Sequence, residues 1–583
     1  MGNAPRHPPS LPQDDPDMVG RLANIGRAQE KYELEQKTFA LKDIHQREVN
    51  VVNIPPMIRE VPFAEWRSIS SFMKFVGRFL FYSLYELVFG HGRWTIFQMV
   101  QHFLSSRVLQ IPKGCEVWSS QAVNCPDQAP EQQAQADHWF AWQMLNGVTQ
   151  NLIRRVEEIP EEFLPFVDII EDDHPYLNDA LDVHAENEEL FVVDLADVSF
   201  NEPTLLSPIA LFVINNNLLM PVAIRIDQND ANEISRPPPV VGGFIAIQQW
   251  VKARMWFNML GAQYHESITH LGFTHMLMDG VSVCLHRNLS ERHPIYKLML
   301  PHFRYMHSIN ELAISKLLGR GAFVDTDMYF GRTHMLKLIA RRNANWNFLD
   351  QILNNDLNNR GVMDLPGYHF RHDALLLQGA IQNYVQEYVS HYYDNNDENV
   401  AQDVEIQNFR IQLEADRTMD GNTGCGMQGV PEFDSIANLV TVLTNFIYIC
   451  SVEHSATNFP QYDQYGFPPN MPATLLGQPE LQNGANALDI AMPTGHQVFS
   501  TVKIMKVLTT VLTNSLGNYE SVYLNAMDNI GRGFVENFRM ALAEIETTIN
   551  QRNAGILQNQ DGPLQDYPYE WLLPSKVLNS ISI

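Results

Sequence analysis

The sequence predicts a mainly α-helical protein: one large domain around long core helices, a small β subregion and a helical N-terminal extension. Three observations carry this reading. Apolar positions recur at helical spacing in "RHDALLLQGAIQNYVQEYVSHYY" (371–393) and in "SIANLVTVLTNFIYICSVEHSATNF" (435–459). Strand-like runs are confined to about 188–226, as in "ELFVVDLADVSF" and "LMPVAIRID". No internal repeat and no long linker divides the chain, and its 583 residues, 45% hydrophobic and 18% charged, suffice for a large core.

In chain order, residues 1–20 are Pro- and Asp-rich without an apolar stretch, so they predict a flexible tail rather than a secretory signal. Arg6 stands where a myristoylation signal needs Ser or Thr. Residues 21–135 predict a helical extension or lid. Within it, 21–48 is polar and Pro-free, as a helix would be, and "NIPPMIREVP" (53–62) breaks it. In "FMKFVGRFLFYSLYELVFG" (72–90), Phe72, Phe75, Val76, Phe79, Leu80 and Leu87 recur at helical spacing, while Lys74, Arg78 and Glu86 argue against a bilayer-spanning helix. Two roles stay open for this segment: a helix packed on the core or closing it as a lid, and an amphipathic face, with Phe72, Phe75, Phe79 and Leu80, that touches a lipid surface. Residues 136–583 form the main domain.

Charge narrows the partners. The chain has 67 acidic and 40 basic residues, a net charge of -27, and no long Lys/Arg block, which excludes nucleic acid as the expected partner. The acidic runs "EEIPEE" (157–162) and "DNNDEN" (394–399) read as solvated loops. Five scattered cysteines, Cys115, Cys125, Cys284, Cys425 and Cys450, suggest neither a disulfide framework nor a zinc site. A reducing, cytoplasmic setting is expected, with peripheral membrane contact and a monomeric state.

The stretch "HESITHLGFTH" (265–275) places His265, His270 and His275 five apart. Positions five apart on an α-helix diverge by roughly 140°, so regular geometry does not explain the spacing. One extra residue in a turn, a π-bulge, returns them to a common face, and two histidines there can share a metal; buried, hydrogen-bonded core histidines are the equal alternative. His454 and Asn458, four apart in "SVEHSATNF", do share a helical face. The sequence ends on apolar Leu578, Ile581 and Ile583. A buried terminal carboxylate needs a cation or a paired donor.

His-x4-His-x4-His-x17-His-x8-His from His265 to His302, the "HSATNF" box and the terminal Ile583 together resemble the lipoxygenase family. The resemblance runs from about residue 136 to the end, through "WQMLNGVTQNLIRRVEEIPEEFLP", "HPIYKLMLPHFRY", "NFPQYDQYGFPPNMPATL" and "LNSISI". It implies a non-haem iron held by His270, His275, His454, Asn458 and Ile583, with manganese a weaker match to the same nitrogen and oxygen donors. His265, His293 and His302 then lie outside the ligand set. Gln461 matches the family's supporting amide, and Glu266 departs from the Gln found in many relatives, which puts that amide network in question. The family's N-terminal β-barrel has no visible counterpart, so the chain looks like the compact bacterial members, without calcium-dependent docking through a barrel.

By the same resemblance, Ile309, Ala313 and Leu317, every fourth residue of "INELAISKL", border the substrate channel, and Leu508 packs from the opposite side. Ala313 stands where Ala often accompanies S oxygenation. The implied reaction is dioxygenation of a linoleate-like polyunsaturated fatty acid to a hydroperoxide, an oxylipin precursor. A ferric hydroxide removes a bis-allylic hydrogen, and O2 then adds. A hydroperoxide isomerase on the same metal site, or a non-catalytic lipid-binding protein, are the alternatives.

Overall fold

The computed structural model describes residues 8–42, 48–66, 68–120, 130–199, 205–230, 232–239, 243–416, 424–479, 487–558 and 564–583. Its architecture is the predicted one, mainly helical with a small β subregion. The N-terminal part holds α1 (Met18–Lys31), strands β1 (Leu34–Glu35), β2 (Phe39–Lys42), β3 (Glu48–Val51) and β4 (Met57–Ile58), then α2 (Ile69–Phe89) and α3 (Ile96–Ser105). Local chemistry sets the helix starts. Asp17 caps α1 by accepting from Gly20 N, Ser68 caps α2 by accepting from Ser71 N, and Thr95 with Gln98 forms a capping box on α3.

Two expectations for this region are corrected. Residues 8–20 are not a loose tail: Leu11, Pro12 and Asp15 are buried, and Ser10 N donates to Arg292 O (3.0 Å). Residues 1–7 of that predicted tail lie outside the described residues. The helix expected over 21–48 ends at Lys31, and β1 pairs with β4, β2 with β3, in antiparallel two-stranded sheets. The polarity of 21–48 matched a helix, but strand pairing is a non-local contact that periodicity does not report.

The main body begins in α4 (Pro130–Asn146). A four-stranded antiparallel sheet follows, with β5 (Arg154–Arg155), β6 (Leu190–Asp194), β7 (Ile209–Asn215) and β8 (Leu218–Arg225) in that order. β7 and β8 are joined by Asn216 and Asn217, both at positive φ (48° and 65°), the two-residue turn whose twist suits a hairpin. Among the described residues no strands close into a barrel.

The core helices then run α5 (Gly243–Tyr264), α6 (Leu277–Asn288), α7 (Met306–Lys316), α8 (His369–Tyr392), α9 (Ile436–Tyr448), α10 (His454–Asn458), α11 (Gly495–Leu508) and α12 (Asn529–Gln558). Residues 265–276 join α5 to α6 as a continuous π-helix, and Ile449–Glu453 does the same between α9 and α10. The run 436–465 is apolar and long enough to cross a bilayer, yet 78% of its apolar window is buried inside the protein, where it forms the core. This arrangement packs two wide-turned helices in the core, the first carrying His265, His270 and His275 and the second His454.

Candidate metal centre

The π-turn determines which side chains meet. Its wider winding turns His270 and His275 to one side, with their Nε2 atoms 3.2 Å apart. The second π-turn delivers His454 from α10 opposite them. The ligand nitrogens of His270, His275 and His454 all lie within 4.8 Å of one another, and all three residues are buried. His454 Nε2 lies 3.3 Å from an oxygen of Ile583, which is itself fully buried. The fold therefore gathers residues from two helices and the end of the described chain at one point.

Each imidazole is oriented from its far side. His275 Nδ1 donates to Asn310 Oδ1 (2.8 Å); the Asn310 amide is fixed because its Nδ2 donates to His275 O and Asp279 Oδ2, both 2.9 Å. Asp279 is held in turn by His307 Nδ1 (3.0 Å) and by Ile58 N (2.7 Å). His270 Nδ1 donates to Glu266 Oε2 at 3.1 Å. Gln461 Nε2 donates to Asn458 Oδ1 (3.0 Å), and Asn458 Nδ2 to Leu508 O (2.8 Å), so the amide network in question at Glu266 keeps its Gln461–Asn458 link. Burial pushes the Glu266 carboxyl up.

Burial also pushes His270 down to about 4 and His275 down to about 3, the latter helped by the neighbouring His270; His454 is lowered in the same direction. All three are neutral at pH 7. His275 Nδ1 is committed to Asn310 Oδ1, and the Nε2 atoms of His270 and His275 face each other at 3.2 Å. Neutral imidazole nitrogens brought this close, with an oxygen of Ile583 3.3 Å from His454 Nε2, can share a cation. Three imidazole nitrogens with a neighbouring oxygen fit a divalent transition metal that keeps open positions.

The remaining histidines of the series do other work. His265 bonds Tyr465 Oη (2.7 Å) and Thr457 O (3.1 Å), pinning the π-helix to α10. His293 contacts Asp403 Oδ2 (2.8 Å) and His302 contacts Asn579 O (2.8 Å), the latter anchoring the approach to Ile583.

A cavity of about 350 Å³ opens over the histidines. Ile309, Ala313 and Leu317 on the α7 side and Leu508 on α11 line it, as do Phe72, Phe75, Val76 and Phe79 of α2, and His270, His275 and Ile583 lie at its polar end. Leu80 points outward instead and is 62% exposed. Two residues of consequence escaped the sequence reading: Asn310 and Lys316. Both lie in "INELAISKL", and only the tertiary position of α7 shows that one supports His275 while the other places a cation on an otherwise apolar wall.

Residues 121–574 match the family model described as Lipoxygenase. The chain belongs to the lipoxygenase family. It is 28% identical over 473 residues to an arachidonate 12-lipoxygenase, 12R-type, of Mus musculus, covering 77% of this chain and 64% of that protein. It is likewise 28% identical to a hydroperoxide isomerase of Mus musculus over 464 residues, 77% of this chain and 62% of the relative. The allene oxide synthase-lipoxygenase protein of Plexaura homomalla is 28% identical over 482 residues, with 77% and 44% covered. The matches thus span less than two thirds of these lipoxygenase relatives. Among solved structures, a calcium-dependent 11R-lipoxygenase superimposes with a TM-score of 0.81 at 25% identity, over 99% of this chain and 83% of the other.

Proposed function

We propose that this lipoxygenase-family chain binds a non-haem iron through His270, His275, His454, Asn458 and the Ile583 carboxylate, and dioxygenates a polyunsaturated fatty acid to a hydroperoxide. The observation that carries the reading is the meeting of three buried histidine nitrogens within 4.8 Å of one another at the end of an apolar cavity sized for an acyl chain. Iron would supply the one-electron chemistry that removes a bis-allylic hydrogen; manganese suits the same donors less well as the expected metal.

The chain's own residues do the rest. Asn310 and Glu266 hold the imidazoles in their tautomers. Ile309, Ala313, Leu317 and Leu508 present apolar walls that confine the pentadiene and exclude water, so that a radical formed there meets O2 rather than solvent. Lys316, exposed at the end of α7, is suited to hold the fatty acid carboxylate, leaving the methyl end to enter toward the metal. The S preference expected from Ala313 belongs to this reading. So do a cytoplasmic location and a monomeric state.

Oxygen uptake and conjugated-diene absorbance, followed together on iron-loaded protein given linoleate, test the proposal. Matched uptake and diene formation are expected, with His454→Ala losing both iron and at least about 100-fold in rate. The equal identity to a hydroperoxide isomerase supports one second reading. Full iron occupancy with no uptake from linoleate, but consumption of its hydroperoxide without O2, would replace the first reading with that one.

A further inference from the structure

Helix α2 is apolar on two faces. Its inner side carries the aromatics that wall the cavity, and Glu86 is turned inward, where it pairs with Lys503 and with His496 Nδ1 (2.9 Å). Its outer side carries Met73, Leu80, Phe81, Leu84, Leu87 and Val88, each between 50% and 66% exposed. At 100° per residue these six fall within an arc of about 120°, and the only other residue there between 73 and 88 is Gly77. Helices facing water put their charges outward; this one directs Glu86 to the protein and leaves leucines in solvent. Six of the exposed large hydrophobic side chains of the described chain lie on this one face, which separates a patch from the scattered apolar residues normal on any surface.

We infer that the outer face of α2 seats on a zwitterionic phospholipid surface, from which acyl chains pass directly over the helix into the cavity. A bilayer is favoured as the occupant by continuity. Phe72, Phe75, Val76 and Phe79 line the cavity from the same helix whose opposite face is bare, so a seated α2 lies between lipid and the acyl-chain site. The depth fits: a helix lying in the interface buries its apolar face among headgroups and upper acyl carbons without crossing. The net charge of -27 opposes an anionic membrane and selects a neutral one. Lys74 and Arg78 both lie beyond one edge of the arc, where their stems reach the headgroup level.

The inference rests on the acyl-chain reading of the cavity, and its test separates the two. Full-length iron-loaded protein is sedimented with phosphatidylcholine vesicles in the absence of substrate, beside Leu84→Glu/Leu87→Glu and the milder Leu84→Ser/Leu87→Ser, with unfolding curves for each. Neither leucine lines the cavity, so oxygen uptake from dispersed linoleate should be unchanged in both. Vesicle binding should fall at least about tenfold in the charged variant and by a smaller factor in the neutral one. Equal binding by all three proteins, no binding by the parent chain, or a parent dimer that the substitutions dissolve would each overturn the inference, the last by assigning the face to a second copy. Vesicle binding without oxygen uptake would count against the proposed activity alone.

Discussion

At the scale of single residues, Asn310 decides how His275 is presented. Its amide cannot rotate without losing two donations, to His275 O and Asp279 Oδ2, so Oδ1 must face His275 Nδ1 and the nitrogen turned toward His270 and His454 must be Nε2. Asn310→Leu keeps the volume and removes both functions. Iron retained against a chelator should fall by about 10–100-fold, the range typical for losing a partner of a ligand histidine. Unchanged retention would show that packing alone orients His275. Sequence reading found the histidines because residue type and spacing mark them, and it placed His270, His275 and His454, which the fold does bring together. Asn310 carried no such mark. An Asn inside a helical pattern has many uses, and this one depends on α7 crossing the π-helix, a contact between residues 35 apart in sequence.

At the scale of elements, the π-turn was one of two equal readings of a histidine spacing that regular helix geometry does not explain, and the structure contains it. Five-residue histidine spacing is uninformative on an α-helix and informative once one turn is widened; the structure extends that widening from a single bulge to His265–Met276. Gly272 helps explain why the winding holds there. A Cβ at this position would lie 2.9 Å from Ser267 O, five residues back, and 3.5 Å from Ile339 Cγ2. Gly272→Ala therefore forces the turn or the Ile339 neighbour to move, at a cost of about 1–3 kcal/mol. The expected result is a lower thermal midpoint together with weaker iron retention, since the displaced turn carries both His270 and His275. A lower midpoint with intact retention would mean the strain is relieved outward, away from the histidines. The long helices were legible for the ordinary reason that their apolar period is local. The strands near residues 34–58 were not, because each is short and exists only through its partner.

At the scale of the molecule, the N-terminal segment is fastened to the main body by a buried ion-pair cluster rather than by apolar packing alone. Arg21, fully buried on α1, donates to Glu405 Oε2 (3.0 Å), Asp15 Oδ2 (3.0 Å) and Ser10 O (2.9 Å), while Arg292 from the main body grips Asp15 Oδ1 (3.0 Å). Glu405 is also committed to Ser290 N (2.9 Å). Composition could not show this: "LPQDDPDMVGR" reads as a solvated leader until its charges are seen to be complementary to residues 277 and 384 positions away. Taking charges out of water is costly, and the geometry offsets it only while every partner is present. Arg21→Ala leaves Glu405 and Asp15 buried with an unfilled space between them, and should destabilise by about 3–5 kcal/mol. Because the lost contacts join one segment to the rest, the effect should be local first: limited proteolysis within residues 8–31 at temperatures well below the unfolding midpoint, with the main body still resistant. If the variant instead unfolds in one step with no early cleavage, the segment and the core are a single cooperative unit, and the clasp stabilises the whole fold.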